Sequence, residues 1–475
     1  MASCLRRLRW HTRELRGMSS LDPCCLGYNS SSSFRPLPHS REPRRYLCGA
    51  SADTGEGEKV SGEAVVTRKG KKRPASVHPL TPPPAPGDFP GWAYEEKDFF
   101  RFELVYQSKT SRARVGRIHT PHGVIDTPGF VPVATNGTLK AVDHQAANEA
   151  NCQLMFCNSY HLMIQPGPDV IEKAGGIHKF INRHRPIITD SGGFQVFSLS
   201  GKDSDEGGGG SKSLAKRHHE KSMLRVTEEG ATFRSYKDGK KILLTPESSV
   251  RAQKAYGADI IVPLDELLPV NVDETRLLHS LYRTHRWEAR SLQEHLKDVR
   301  NQAMYCVVHG GMNLELRKMS VEYLSSLPFD GIAIGGSLGR DRQELVQLLT
   351  HIMPTLPPSK PVHLLGIADL ESIAHGVALG VDTFDSCYPT RMARHGHLIT
   401  KKGRLKLPKA IYDYDYTPIE DDCDCFTCQN YTRAYLNHLL RAKEPVVHTL
   451  LTIHNLRAMT DAMARHRSLI LEGST

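Results

Sequence analysis

Four short stretches of this chain combine residue types that could do chemistry. The first, GVDTFDSCYPTRMAR (residues 380–394), brings Asp385 to the end of a short apolar run. Ser386 and Cys387 follow, then a turn at Pro389 and a basic segment with Arg391 and Arg394. A carboxylate at a strand end beside a basic segment suits work on an anionic, phosphate-bearing substrate. The second stretch, TDSGGFQ (189–195), holds Asp190, Ser191, Gly192 and Gln195. Its glycines allow the backbone close to a flat ligand, and the Gln195 amide could read the edge of a heterocycle. The third, LDE (264–266), supplies Asp265, an acceptor for the N–H groups of a base. Each acid alone also fits a helix cap, and the arginines fit a solvated turn. Cys387 reads as a small packing residue.

The fourth stretch, CDCFTC, places Cys423, Cys425 and Cys428 close enough to share a tetrahedral Zn²⁺ that needs one more ligand. His438, His448 and His454 follow. The helical stretch HTLLTIHNLRAMTDAM sets His454 one turn after Leu450, on the same inward face, which makes it the best placed. A buried histidine bonded to a carbonyl and a Cys425/Cys428 redox pair are the plainer alternatives. Four protein ligands would leave no open position, so such a zinc would be structural.

Eight short apolar runs must position these groups: FVPVAT (130–135), QLMFCNSY (153–160), PIITDSGG (186–193), DIIVPLDE (259–266), MYCVVHGG (304–311), GIAIGG (331–336), VHLLGIAD (362–369) and DTFDSC (382–387). Runs so short and so uniformly apolar fit strands buried on both faces. Helical patterns such as PDVIEKAGGIHKFINR, ESSVRAQKAYG and RQELVQLLTHIM lie between them. Eight strands in βα alternation predict a (β/α)8 TIM barrel, an α/β fold. Asp190, Asp265, His309, Gly335–Gly336, Asp369 and Asp385 each end a run, and in a barrel those ends converge on one face. Asp369 is most simply the cap of the next helix.

The chain has 475 residues and a formal charge of +10, but residues 1–95 carry +6 of it, so overall charge does not argue for nucleic acid. No apolar run reaches the roughly 20 residues that a membrane-spanning helix needs. Residues 1–50 hold nine arginines, no lysine and three acids, which predicts an organellar (plastid or mitochondrial) transit peptide. If the leader is not a transit peptide, a cytoplasmic location is expected. Residues 51–97 read as a disordered Pro/Gly-rich linker, with folded sequence from about Asp98 through 475. Within it, 199–223 reads as a flexible Gly-rich insertion, MLRVTEEGATFRSYKDGKKILLTPE as a β-hairpin around Asp238–Gly239, and about 411–458 as a zinc subdomain.

Together TDSGGFQVFSL, the LDE after DIIVP, IAIGG, LLGIAD, FDSCYPTRMARHG and CDCFTC with HNL resemble the tRNA-guanine transglycosylases, the queuine tRNA-ribosyltransferase family, from about Phe102 to Arg467. The zinc spacing agrees, since His454 lies 26 positions after Cys428. The resemblance implies a zinc-bearing barrel that exchanges guanine at the tRNA wobble position for a 7-deazaguanine, queuine or its precursor preQ1, in queuosine modification. It implies Asp385 as nucleophile at ribose C1′ and Asp190 as general acid/base. Ser191, Gly192, Gln195, Asp265, His309 and Gly336 would line the base pocket, Arg391 and Arg394 would lie near RNA, and Cys423, Cys425, Cys428 and His454 would hold one structural Zn²⁺. It further implies a homodimer, or a heterodimer with a family partner subunit.

The reaction class accounts for two acids independently. Base exchange with retained configuration needs two displacements through a glycosyl-enzyme, and a second carboxyl must manage the ring-nitrogen proton. The chain departs from the family at His309, where a Gln is usual, and at SLGR after Gly336, where a Leu is commoner. The small Gly339 is expected to make room for a substituent larger than aminomethyl, which favours queuine. The competing readings are a non-catalytic partner subunit, a tRNA-binding barrel without activity, and an unrelated zinc hydrolase, which would need an open metal site.

Overall fold

The computed structural model describes residues 77–89, 94–198 and 223–474. All eight apolar runs become strands: β1 Gly129–Ala134, β2 Met155–Cys157, β3 Ile187–Thr189, β4 Ile260–Ile261, β5 Ala303–Val308, β6 Gly331–Ile334, β7 Val362–Leu364 and β8 Thr383–Ser386. Every neighbouring pair is parallel, and β1 closes the barrel against β8 from Gly129 opposite Thr383 to Pro132 opposite Ser386. This is the (β/α)8 barrel that the run pattern predicts.

The runs lack polar alternation because both strand faces are buried. Val131, Phe156, Ile188, Ile260, Tyr305, Val307 and Ala333 fill the barrel interior. Their chain neighbours Phe130, Met155, Ile187, Ile261, Met304, Cys306 and Ile332 face the surrounding helices. At the N-terminal end, an antiparallel sheet of Arg101–Gln107, Arg114–Thr120 and Gly123–Thr127 adds Ile118 and Ile125 to the interior cluster.

Aspartates at that end are structural. Asp259, Asp330 and Asp382 stand one residue before β4, β6 and β8, and each accepts an N–H from the adjoining strand: Ile187 (2.8 Å), Met304 (2.7 Å) and Val362 (2.7 Å). Their charges are answered by His122 with His178, by Lys97 and by Arg114, respectively. Each carboxylate thus satisfies a backbone donor that the barrel would otherwise bury unpaired.

Three local expectations change. PDVIEKAGGIHKFINR forms two helices, Pro168–Lys173 and Ile177–Phe180, because Gly175 and Gly176 adopt φ of 89° and 95° between them. The hairpin is the second half of a three-stranded sheet, Met223–Val226, Ala231–Arg234 and Lys241–Leu244. Residues 77–89 of the expected linker lie along the barrel: Arg286 donates to the Thr81 carbonyl (2.5 Å) and the Tyr323 hydroxyl to that of Pro84 (3.0 Å). Proline-rich backbone offers acceptors without N–H groups needing partners, so it can lie on a surface without strand pairing. The leader (1–50), residues 51–76 and the insertion 199–222 fall outside the described residues. Among the described residues, no helix is long and apolar enough to cross a membrane.

After β8 the chain runs through helix Tyr388–Arg394, a ribbon of His397–Thr400 and Gly403–Lys406, and helices Phe426–Asn430, Arg433–Ala442 and Val446–Leu471. The last of these returns to the strand that opens the barrel, where Arg467 donates to the Pro128 carbonyl at 2.7 Å.

Candidate active site and metal centre

The C-terminal strand ends carry the expected groups, and hydrogen bonds to neighbouring strands fix them. Asp190 follows β3. Its Oδ1 accepts from the backbone N–H of Ser159 (2.7 Å) and Gly192 (3.2 Å), and its Oδ2 from the Asn158 side-chain amide (2.7 Å). Burial pushes the Asp190 carboxyl up to about 6, although these bonds and one from Gln195 favour its charged form. That value suits a group that gives and takes a proton near neutrality.

The loop that holds Asp190 needs its glycines. Gly192 has φ of +83°, and a Cβ there would lie 3.1 Å from the Tyr160 nitrogen. A Cβ on Gly193 would meet Leu264 at 2.9 Å, so only glycine lets this loop lie against the one after β4. Ser191 is buried, with its carbonyl accepting from Ser249 at 2.8 Å. Gln195 lies in the short helix Gly193–Ser198, and its buried Oε1 has no hydrogen-bond partner among the described residues. An unpaired buried acceptor beside Asp190 fits a ligand that brings its own N–H. Tyr160, Val196, Phe233 and Trp287 pack behind this loop, so the small three-stranded sheet backs the site.

Asp265 and His309, from the ends of β4 and β5, are bonded to each other, Oδ2 to Nε2, at 2.7 Å. His309 also donates its backbone N–H to Ser320 (3.1 Å). Gly336 leaves room for the imidazole: a Cβ there would lie 2.7 Å from His309 Nδ1. The loops after β5 and β6 are tied by Arg317, which is fully buried. Its guanidinium donates to four carbonyls: Gly311 (2.8 Å), Val308 (2.6 Å), Gly335 (2.8 Å) and Ser337 (2.7 Å). Burial draws its pKa down to about 9.

Asp385 ends β8 and is 7% exposed. Its Oδ1 accepts from the Gly366 backbone N–H (2.9 Å) and from His363 Nε2 (3.0 Å). Among the described residues, no bond is made to its Oδ2. Arg391 is exposed, and Arg394 is partly buried, with one bond to the Thr390 carbonyl at 3.0 Å. Asp369 is a helix cap, as expected, accepting from Ser372 N–H at 3.0 Å. Cys387 is exposed at the start of helix Tyr388–Arg394, so it does not pack into the core. Gly339 has φ of +99°, and a Cβ there would lie 2.6 Å from Glu344 Cβ. Its smallness therefore serves a turn packed on Glu344.

Three groups escaped the sequence reading: His363, Asn158 and Arg317. His363 could have been suspected as a polar residue inside an all-apolar run, and Arg317 as a charge on the buried face of helix Leu314–Ser325. Asn158, within NSY at the end of β2, carried no distinguishing signal.

The cysteine cluster is buried beneath the final helix. Nδ1 of His454 lies 3.7, 3.8 and 3.3 Å from the sulfurs of Cys423, Cys425 and Cys428. Tetrahedral Zn²⁺ bonds of ordinary length would hold S and N ligands about 3.6 Å apart. His454 Nε2–H donates to the Ile399 carbonyl at 3.0 Å, which fixes the tautomer with its lone pair at Nδ1, toward the sulfurs. This donor set fits one zinc ion. Of the other candidate histidines, neither His438 nor His448 belongs to the cluster.

His122, His178 and Asp259 form a second cluster with metal-binding residue types. The two rings are stacked at 3.5 Å and 9°, so their in-plane lone pairs run parallel and do not converge on one ion. It is a hydrogen-bonded charge network at the structural end of the barrel.

A family model described as queuine tRNA-ribosyltransferase matches residues 108–475. A queuine tRNA-ribosyltransferase of Protochlamydia amoebophila is 54% identical over 375 residues, covering 79% of this chain and 96% of that protein. Those of Chlamydia abortus and Chlamydia pneumoniae are 51% and 50% identical over 374 and 375 residues, each covering 78% of this chain and 98% of the relative. With its barrel, its loops and its cysteine cluster all inside the matched region, the chain belongs to the queuine tRNA-ribosyltransferase family.

Proposed function

We propose that this protein exchanges guanine at the wobble position of tRNA for queuine through a covalent glycosyl-enzyme. The observation that carries the reading is the pairing of two unlike acids. Asp385 has one oxygen held by two donors and the other without a bond from any described residue, as an oriented nucleophile requires. Asp190 is raised to about 6, as an acid/base requires. Asp385 Oδ2 attacks ribose C1′ and the C1′–N bond breaks; the Asp190 carboxyl gives its proton to the departing ring nitrogen. The incoming 7-deazaguanine then loses its ring N–H proton to Asp190 and displaces the Asp385 carboxylate, so configuration is retained.

The base sits between Ser191, Gly192, Gln195, Asp265, His309 and Gly336. Because Asp265 Oδ2 is engaged by His309, its other oxygen is the one that accepts from the base. Arg391, exposed on the helix after the nucleophile, meets the RNA backbone, with Arg394 behind it. Queuine is preferred to preQ1 on the names of the relatives. One zinc, held by Cys423, Cys425, Cys428 and His454, has a structural role, because four protein ligands fill a tetrahedral shell.

The protein acts as a dimer. The exposed rings of Phe426, Tyr435 and His438, linked through the partly buried Tyr431, with exposed Tyr414 and Tyr416 close in sequence, support a protein-binding face. The leader acts as an organellar transit peptide; residues 1–107 lie outside the family match, and their first 50 have that composition. A fluorescent fusion of residues 1–97 that stays cytoplasmic would remove this element.

The deciding experiment incubates the protein with guanine-containing tRNA and either queuine or preQ1, followed by nucleoside analysis. Exchange with queuine is the expected result. Turnover of preQ1 but not queuine would overturn the choice of base. Exchange at the wild-type rate by Asp385→Asn would overturn the nucleophile, and no exchange at all would favour the partner-subunit reading.

A further inference from the structure

We propose that His363 selects which oxygen of Asp385 reacts, a positioning role that rests on Asp385 being the nucleophile. His363 lies on β7 with its side chain fully buried, its ring roughly parallel to that of Phe156 at 6.0 Å and 20°. Nε2 is 3.0 Å from Asp385 Oδ1, and Nδ1 is 2.8 Å from the Thr383 hydroxyl. An ionised carboxylate only accepts, so Nε2 must carry the hydrogen. In the neutral ring Nδ1 is then the acceptor, and Thr383 is its donor. Thr383, two residues before Asp385 and so on the same strand face, thereby sets the tautomer of the residue that orients Asp385.

The Gly366 N–H reaches the same Oδ1 at 2.9 Å. Both donors therefore act on one oxygen. They stop rotation of the carboxylate and leave Oδ2 as the oxygen that can approach C1′. In the glycosyl-enzyme the ester joins C1′ to Oδ2, and Oδ1 is its carbonyl oxygen, still facing both donors. When the incoming base displaces the ester, the C1′–Oδ2 electron pair returns to the carboxylate. His363 and Gly366 then stabilise the charge that reappears. One histidine thus serves attack and release.

The test compares wild type, His363→Leu, His363→Gln and Thr383→Val in tRNA base exchange, with single-turnover formation of the covalent RNA adduct as the second readout. Loss of the donor in His363→Leu should lower kcat and the adduct rate about 10- to 100-fold, with KM for tRNA within about twofold. His363→Gln, whose amide nitrogen can take the place of Nε2, should recover to within about fivefold of wild type. Thr383→Val keeps the side-chain shape and should fall between them. Wild-type kcat in His363→Leu would overturn the proposal. Equal losses in folded Leu and Gln variants would show a packing role only and also overturn it. Should His363→Leu fail to fold, the Gln and Thr383→Val variants decide by the same criteria. An inactive wild type would remove the proposed function and this inference with it, whereas an active wild type with an indifferent His363 removes this inference alone.

Discussion

Asn158 offers a sharp test of Asp190. Its amide donates to Asp190 Oδ2 at 2.7 Å, and it is itself buried. The bond favours the charged carboxylate, so Asn158→Ala should raise the Asp190 pKa above its present value of about 6. A hydrogen bond to a charged group is worth about 1.5–3 kcal/mol, and one pKa unit corresponds to about 1.4 kcal/mol. Water entering the vacated space restores part of this, so the expected rise is about one unit. The assay is guanine exchange into tRNA across pH 5–9, read as kcat/KM for tRNA, which reports the free enzyme. Wild type should lose activity as pH rises through about 6, because Asp190 must be protonated to give its proton to the departing base. The variant's alkaline limb should lie about one unit higher with an acid plateau less affected. An alkaline limb that stays in place would mean that Asp190 is not the titrating group, and the acid/base assignment would fail.

Asp190 also makes a prediction for stability. Its folded pKa lies above the unfolded value, so the native state holds the extra proton and stability falls as pH rises from about 4 to about 6. In denaturant titrations, Asp190→Asn should remove about 2–3 kcal/mol of that pH dependence while abolishing exchange. Metal analysis should give about one zinc per chain, and Cys425→Ser should lose it and lower Tm sharply, since metal binding and local folding are coupled. Arg317→Met should cost about 3–5 kcal/mol in chemical denaturation, because four carbonyls lose their donor. Arg317→Lys should recover little of it, a point charge being unable to span all four.

The barrel was legible because its strands are buried on both faces, which writes them as short apolar runs between helical patterns. The acids that end those runs were legible for the same reason: Asp190, Asp265 and Asp385 could be counted along the chain. What could not be read is what each acid touches. Asn158 and Asp190 follow adjacent strands 32 positions apart, and His363 and Asp385 are separated by 22. Only the barrel register brings them together. The misreadings have local causes. Cys387 was judged by size, but its position at a helix start exposes it. Gly339 was judged by the space it leaves, but its backbone conformation and its contact with Glu344 account for it.

Arg317 bears on how the proposed base pocket can change. Its guanidinium spans the loop that carries His309 and the loop that carries Gly336, with a separate bond to each of four carbonyls. Those loops are therefore one mechanical unit with a shared brace. A substitution that shifts one rim of the pocket pulls on the carbonyls of the other. Altered base selectivity is accordingly reached by paired changes across the two loops, or by exchanging side chains such as His309 on an unmoved backbone. Swapping either loop alone would leave a buried cation with half its partners.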